Sequence, residues 1–132
     1  MTNYPAKVLM AFGESFISSA TFTQWLRENG YAELAALSSA IRGSEEDFNW
    51  LMENGYEQLA ALDSAIDEKP DALKWLLSNN FIVMAHFSEA CNKKPISIKW
   101  LRERGLDIFI HLANKINYFR DNQYFNLYKR KF

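Results

Sequence analysis

Tryptophan recurs every 25 residues, at Trp25, Trp50, Trp75 and Trp100, and that ruler limits the possible folds more than any other feature of the chain. From Trp25 the sequence reads WLRENGYAELAALSSAI and from Trp50 it reads WLMENGYEQLAALDSAI, identical at 13 of 17 positions. Self-similarity at a short fixed period marks stacked units, each too small to bury its own apolar face.

Each unit holds two apolar segments, both below the ~12–15 residues that a lone helix needs in water. They must therefore pack on each other. The first segment opens at Ser19, Ser44, Lys69 and Lys94. Ser44 precedes Glu45, Glu46 and Asp47, a capping hydroxyl followed by acids that suit the positive end of a helix. Pro70 and Pro95 fall at the first helical position, where the missing N–H costs no hydrogen bond. The segment stops at Gly30, Gly55, Asn80 and Gly105, residue types that accept a left-handed terminating turn.

The second segment carries apolar residues at i, i+3 and i+7, the stripe of an amphipathic helix. The sets are Leu34, Leu37, Ile41; Leu59, Leu62, Ile66; Met84, Phe87, Cys91; and Phe109, Leu112, Ile116. Alanines beside the stripe, such as Ala35 and Ala60, let neighbouring second helices approach closely. One period earlier stand Leu9, Phe12 and Phe16, which predicts a lone second-type helix within residues 4–17. At the other end Phe125 holds the next tryptophan position, so residues 118–132 read as a divergent first-type helix that caps the stack. The expected fold is all-α, an α-solenoid of stacked antiparallel helix pairs with about ten short helices. It forms one domain over 1–132, with a capping helix at 1–18, repeats at 19–43, 44–68, 69–93 and 94–117, and a cap at 118–132.

The segment YEQLAALDSAIDEKPDALKWLLSNN, from Tyr56 to Asn80, resembles the helix pair of an ankyrin repeat. Leu59, Ala60 and Ala61 match its alanine-rich inner helix, and Leu73 to Leu77 with Asn79 and Asn80 match its outer helix and terminating turn. The period of 25 is shorter than the ~33 residues of ankyrin repeats, which leaves no room for their β-hairpin finger. The resemblance implies a partner surface lined by the second helices.

Composition excludes several classes. Hydrophobic residues make up 48% of the 132, ample for a core and unlike a disordered chain. A single cysteine, Cys91, has no partner for an internal disulfide and suits a reducing compartment. No apolar run approaches the ~18 residues of a membrane span, and the short stretch Val8 to Phe12 is no signal peptide. The expected setting is the cytoplasm. Net charge is −1, yet residues 1–90 carry 5 basic and 13 acidic side chains while residues 91–132 carry 10 basic and 3 acidic. In a linear stack such ends would lie apart and attract one another, giving a route to head-to-tail self-association.

The residues also bound the function. The tryptophans are expected in the core, since unit-to-unit packing must recur in register. His86 and His111 share one repeat position, but two imidazoles fall short of the three or four ligands of a zinc site. No phosphate loop, catalytic triad or metal-binding helix motif is present, so neither enzyme activity nor a cofactor is expected. The surface of the second helices opposite the stripe carries Glu57, Ser64, Ile82, His86, Glu89, Asp107, His111 and Asn114. That row is expected to bind a protein or peptide, basic or mixed in charge. The alternative is nucleic acid or an acidic partner at the C-terminal end, where Lys93, Lys94, Lys99, Arg102, Arg104, Lys115, Arg120, Lys129, Arg130 and Lys131 alternate with aromatic residues.

Overall fold

Turn chemistry sets the element boundaries. The computed structural model describes the backbone of residues 1–130 and the side chains of residues 1–122. The described residues form nine helices and no strand: α1 (Ala6–Glu14), α2 (Ser19–Glu28), α3 (Ala32–Ile41), α4 (Glu45–Glu53), α5 (Glu57–Ile66), α6 (Pro70–Ser78), α7 (Ile82–Cys91), α8 (Pro95–Glu103) and α9 (Asp107–Arg130). The even helices end on left-handed residues at Gly30, Gly55, Asn80 and Gly105, with φ of 88°, 84°, 64° and 70°. Beyond each turn the amide of Tyr31, Tyr56, Phe81 or Leu106 donates back to the carbonyl of Leu26, Leu51, Leu76 or Leu101 at 2.8–2.9 Å, which satisfies an orphan carbonyl. The side-chain amides of Asn29, Asn54 and Asn79 add a bond to the carbonyls of Trp25, Trp50 and Trp75 at 2.7–2.8 Å. At the N-terminus of α4, Ser44 Oγ accepts the Asp47 amide at 3.1 Å, as its sequence predicts.

Helices α3, α5 and α7 stop by a similar device at the following turn. Gly43, Glu68 and Lys93 are left-handed, at φ of 110°, 61° and 61°. Pro70 and Pro95 then prevent the chain from continuing as helix. The next members of these two series are Tyr118 and Arg120, which supply neither the permissive glycine nor the blocking proline. So α9 does not stop. It runs for 24 residues as one helix, where a separate capping helix was expected. Among the described residues nine helices replace the expected ten for that reason.

Each even helix packs on the odd helices before and after it, and the odd helices α1, α3, α5, α7 and α9 pack in sequence. Finally α9 returns onto α1, which closes the circuit. The first and last helices therefore meet, contrary to the expectation that opposite charge would lie at separate ends. Lys115 Nζ lies 3.0 Å from Glu14 Oε1 across this junction. Gly13 lets the two helices approach, since a Cβ there would stand 2.8 Å from Leu112 Cδ2.

The stripes fill the middle of the circuit. Phe12, Leu37, Leu62, Phe87 and Leu112, one residue per period, are all 0% exposed. Ser15 joins Ser38 across α1 and α3 at 2.6 Å, and Tyr4 donates to Glu33 at 2.9 Å, which ties the N-terminal residues to α3. From the even helices, Leu26, Leu51, Leu76 and Leu101 are each fully buried. The tryptophans are not. Trp75 is 36% exposed, and Trp25, Trp50 and Trp100 are only partly buried. A residue one place before an inward leucine sits about 100° round the helix, at the rim, where Trp50 stacks on Tyr56 and Trp75 on Phe81. The expectation of a tryptophan core is corrected: the leucine after each tryptophan is the anchor.

Two stability measurements follow. Leu76→Ala should cost ~2–5 kcal/mol as a buried truncation, and Trp75→Ala roughly 1–2 kcal/mol because much of its ring is already in water. Urea midpoints that rank Trp75→Ala as the more damaging would place the tryptophans back in the core. Gly13→Ala should destabilise wild type by ~1 kcal/mol, the crowding of Leu112 outweighing the better helix propensity of alanine. In a Leu112→Ala background the clash is gone, and the same change should become stabilising.

Candidate functional site

The surface of α7 is flanked by α6 on one side and α8 on the other. Between them Ala85 forms the floor of a groove of about 380 Å³, with Leu73 and Leu77 from α6 and Ile96 and Ser97 from α8 as walls. His86 and Glu89, two members of the row expected from sequence, lie in this groove together with Lys94. The floor is alanine because two even helices close over it, and Ala85 is 2% exposed. The walls are open to solvent: Leu77 is 47% exposed and Ile96 is 83% exposed.

Two contacts hold His86 in place. Its Nδ1 lies 2.9 Å from Ser97 Oγ, and its ring stacks on Trp100 with centroids 4.0 Å apart and planes 15° from parallel. The Arg104 guanidinium lies 4.0 Å from the same indole centroid. Two planar groups cannot share one face at that distance, so imidazole and guanidinium sandwich the indole. Desolvation by its neighbours lowers the pKa of His86, the Arg104 charge lowers it further, and Glu89 opposes both. His86 therefore presents a neutral imidazole at pH 7, fixed by α8, beside a carboxylate and an apolar wall.

The rest of the row is more dispersed. Glu57, Asp107, His111 and Asn114 are exposed, as is Ile82, while Ser64 is partly buried in a separate polar groove with Asp63 and Asp67. His111 shares neither the stacking nor the hydrogen bond of His86, and it is exposed. Among the described residues no three His, Cys, Asp or Glu side chains come together. Burial pushes the Cys91 thiol up to about 12, so it packs as an apolar group.

At the C-terminal end several cations are engaged. Lys93 pairs with Asp121 at 3.7 Å, Lys99 with Glu103 at 3.7 Å and Lys115 with Glu14, and Arg120 donates to the Cys91 carbonyl at 3.4 Å. The side chains of Tyr124, Phe125, Tyr128, Lys129, Arg130 and Lys131 lie outside the described residues. Among the described residues no helix is long and apolar enough to cross a membrane.

The row named from the sequence includes His86 and Glu89 of this groove but none of its walls. Ile96 stands where the other repeats have Thr21, Glu46 and Asp71, and Leu77 stands where they have Arg27, Met52 and Arg102. An apolar residue at a mostly polar position of the repeat is the signal that would have found them. No protein-family model matches this chain, and no curated protein or solved structure matches it.

The titration of His86 checks the sandwich. Its folded pKa lies below the usual 6.5, so below that pH the unfolded chain binds more protons, and this residue makes stability fall as pH drops. By imidazole NMR, Arg104→Ala should raise the His86 pKa and Glu89→Gln should lower it. Shifts of the opposite sign would mean that neither charge faces the ring.

Proposed function

We propose that this chain is a helical-repeat binding module, a short α-solenoid whose odd helices present a docking surface for a protein segment or peptide. The observation that carries the reading is the groove over α7, where strongly exposed apolar walls meet an alanine floor. Contiguous exposed apolar surface marks interaction sites and binding grooves, whereas single exposed apolar residues are ordinary. The polar groups fix the chemistry of the occupant. Glu89 within the groove, and Glu57 and Asp71 exposed on α5 and α6, favour a segment with one aliphatic or aromatic anchor followed by a basic residue. Neutral His86, already bonded to Ser97, adds a flat surface for the anchor. The groove of about 380 Å³ is of a size for one or two side chains, so the expected affinity is that of a transient interaction, in the micromolar range.

Peptides selected from a random displayed library test this directly. Selected sequences should share an apolar anchor next to Lys or Arg, and their amide shift changes should map to α6, α7 and α8. Ile96→Asp and Glu89→Lys should each weaken binding about tenfold or more, a loss of ~1.4 kcal/mol. Ile96 is exposed, so its substitution leaves the fold intact. Binding that survives both changes would remove the groove from the reading.

A further inference from the structure

Four of the five junctions between neighbouring odd helices are covered by an even helix: α2 lies on α1 and α3, α4 on α3 and α5, α6 on α5 and α7, and α8 on α7 and α9. Among the described residues the fifth junction, between α9 and α1, has no such cover. Two repeat positions register the vacancy. His86 on α7 lies under Trp100 and Ser97 of α8, whereas His111, its counterpart on α9, is exposed. Ala35, Ala60 and Ala85 are 0–2% exposed in the middle of the chain, but their counterparts at the two ends are Met10, 55% exposed, and Ile110, partly exposed. A position built for a small residue under two helices carries a large apolar one where a helix is missing. Beside Met10 opens a groove of about 460 Å³, lined by Lys7, Met10, Ala11, Glu14, Phe22 and Trp25. It is the counterpart of the groove over α7 with one wall absent, and it is the larger of the two.

The 25-residue period says which segment should have filled the slot: residues 119–128, directly after the packed part of α9. Tyr118 and Arg120 keep that segment in line with α9 instead of turning it back. The straight form is held by Phe119 against Phe16 at 6.1 Å, Arg120 on the Cys91 carbonyl and Asp121 on Lys93. Beyond Asp121 the helix runs on from Asn122 to Arg130, nine residues, the length of α4, α6 and α8. At 1.5 Å per residue α9 outruns the nine- and ten-residue helices beside it by about 20 Å. A hinge straightened into helix, together with an empty slot of matching length in the same body, is the geometry of an element exchanged between two copies.

We propose that the chain forms a two-fold dimer in which Asn122–Arg130 of each copy fills the slot between α9 and α1 of the other. Asn126 falls where the even helices bury leucine, so the exchanged helix slides by one residue. Leu127 then takes the place of Leu26, Leu51, Leu76 and Leu101, and Tyr124 that of Phe48, Leu73 and Ile98. The interface is self-complementary, because each copy gives one helix and receives one. The groove beside Met10 shares no lining residue with the groove over α7, so this dimer and peptide binding stand or fall separately.

Sedimentation velocity over a concentration series, with far-UV circular dichroism to confirm folding, decides it. Wild type should sediment as a dimer. Met10→Asp spoils the slot and Leu127→Asp spoils the exchanged helix, and each should raise the dissociation constant at least tenfold. Mixing the two variants should recover a heterodimer, because one intact helix can still enter one intact slot. Restoring the breakers with Tyr118→Gly and Arg120→Pro should give a monomer whose own segment occupies the slot. Ile96→Asp should leave the dimer unchanged. A wild-type monomer at every concentration, a dimer indifferent to Met10→Asp and Leu127→Asp, or a mixture that recovers nothing would each overturn the proposal.

Discussion

Five side chains, one from each of the five odd helices, hold this molecule together. Phe12, Leu37, Leu62, Phe87 and Leu112 recur at intervals of 25 residues and are completely buried. None of the first eight helices exceeds ten residues, so none would persist alone in water. Their order comes from that shared centre. The demand on the period is strict, since one inserted residue would rotate a helix by about 100° and carry its stripe away from the others. The turns after α2 obey the same demand: each spends one left-handed residue and each spans the same number of positions, whereas the turn between α1 and α2 is one residue longer and has no left-handed residue.

The centre also explains which residues sit where odd helices come closest. One position of the period reads Gly13, Ser38, Asp63, Ser88 and Ala113, all small or short and all buried. Gly13 admits Leu112, and Ser38 bonds Ser15. Asp63 is the misfit. Burial, with help from Asp67, pushes its carboxyl up to about 7, so this unit keeps a poorly solvated acid where its neighbours keep a hydroxyl or nothing. The size of the side chain is constrained at this position, and its polarity is constrained less.

Much of this could be read in the sequence. Helix ends were legible because Gly30, Gly55, Asn80 and Gly105 are local signals for a local event. Stripes were legible because burial on one face leaves a 3.6-residue rhythm. Depth was not, because recurrence shows that a residue packs in register without showing how far from water it packs, and the tryptophans recur at the rim. Closure of the circuit was not legible either, since it is the sum of small rotations between units and belongs to no single residue. Gly13 and the Glu14–Lys115 pair acquire meaning only once α9 is seen against α1. The continuity of α9 stood in the sequence, in the loss of glycine and proline at Tyr118 and Arg120, but Phe125 at the tryptophan position pointed the other way. At the groove, the row along the odd helices led to His86 and Glu89. The apolar walls on α6 and α8 escaped because the even helices were read through their tryptophans.

Closure changes what the charge asymmetry means. Along an open stack, an acidic start and a basic finish would set up opposite poles, and the natural outcome would be chains of molecules joined end to end. In a closed circuit the first and last helices are neighbours, and Glu14 and Lys115 neutralise each other at 3.0 Å inside one molecule. Lys93 and Asp121 do the same between the end of α7 and α9. The asymmetry then runs round the molecule instead of along it, with acids concentrated on α4 and α5 and cations on α8 and α9. A contact between such flanks has no fixed distance or hydrogen-bond geometry and is screened within ~10 Å in 0.1 M salt. For the binding proposed above, specificity would therefore come from shape and apolar contact at the two grooves, where Met10, Leu77 and Ile96 are exposed.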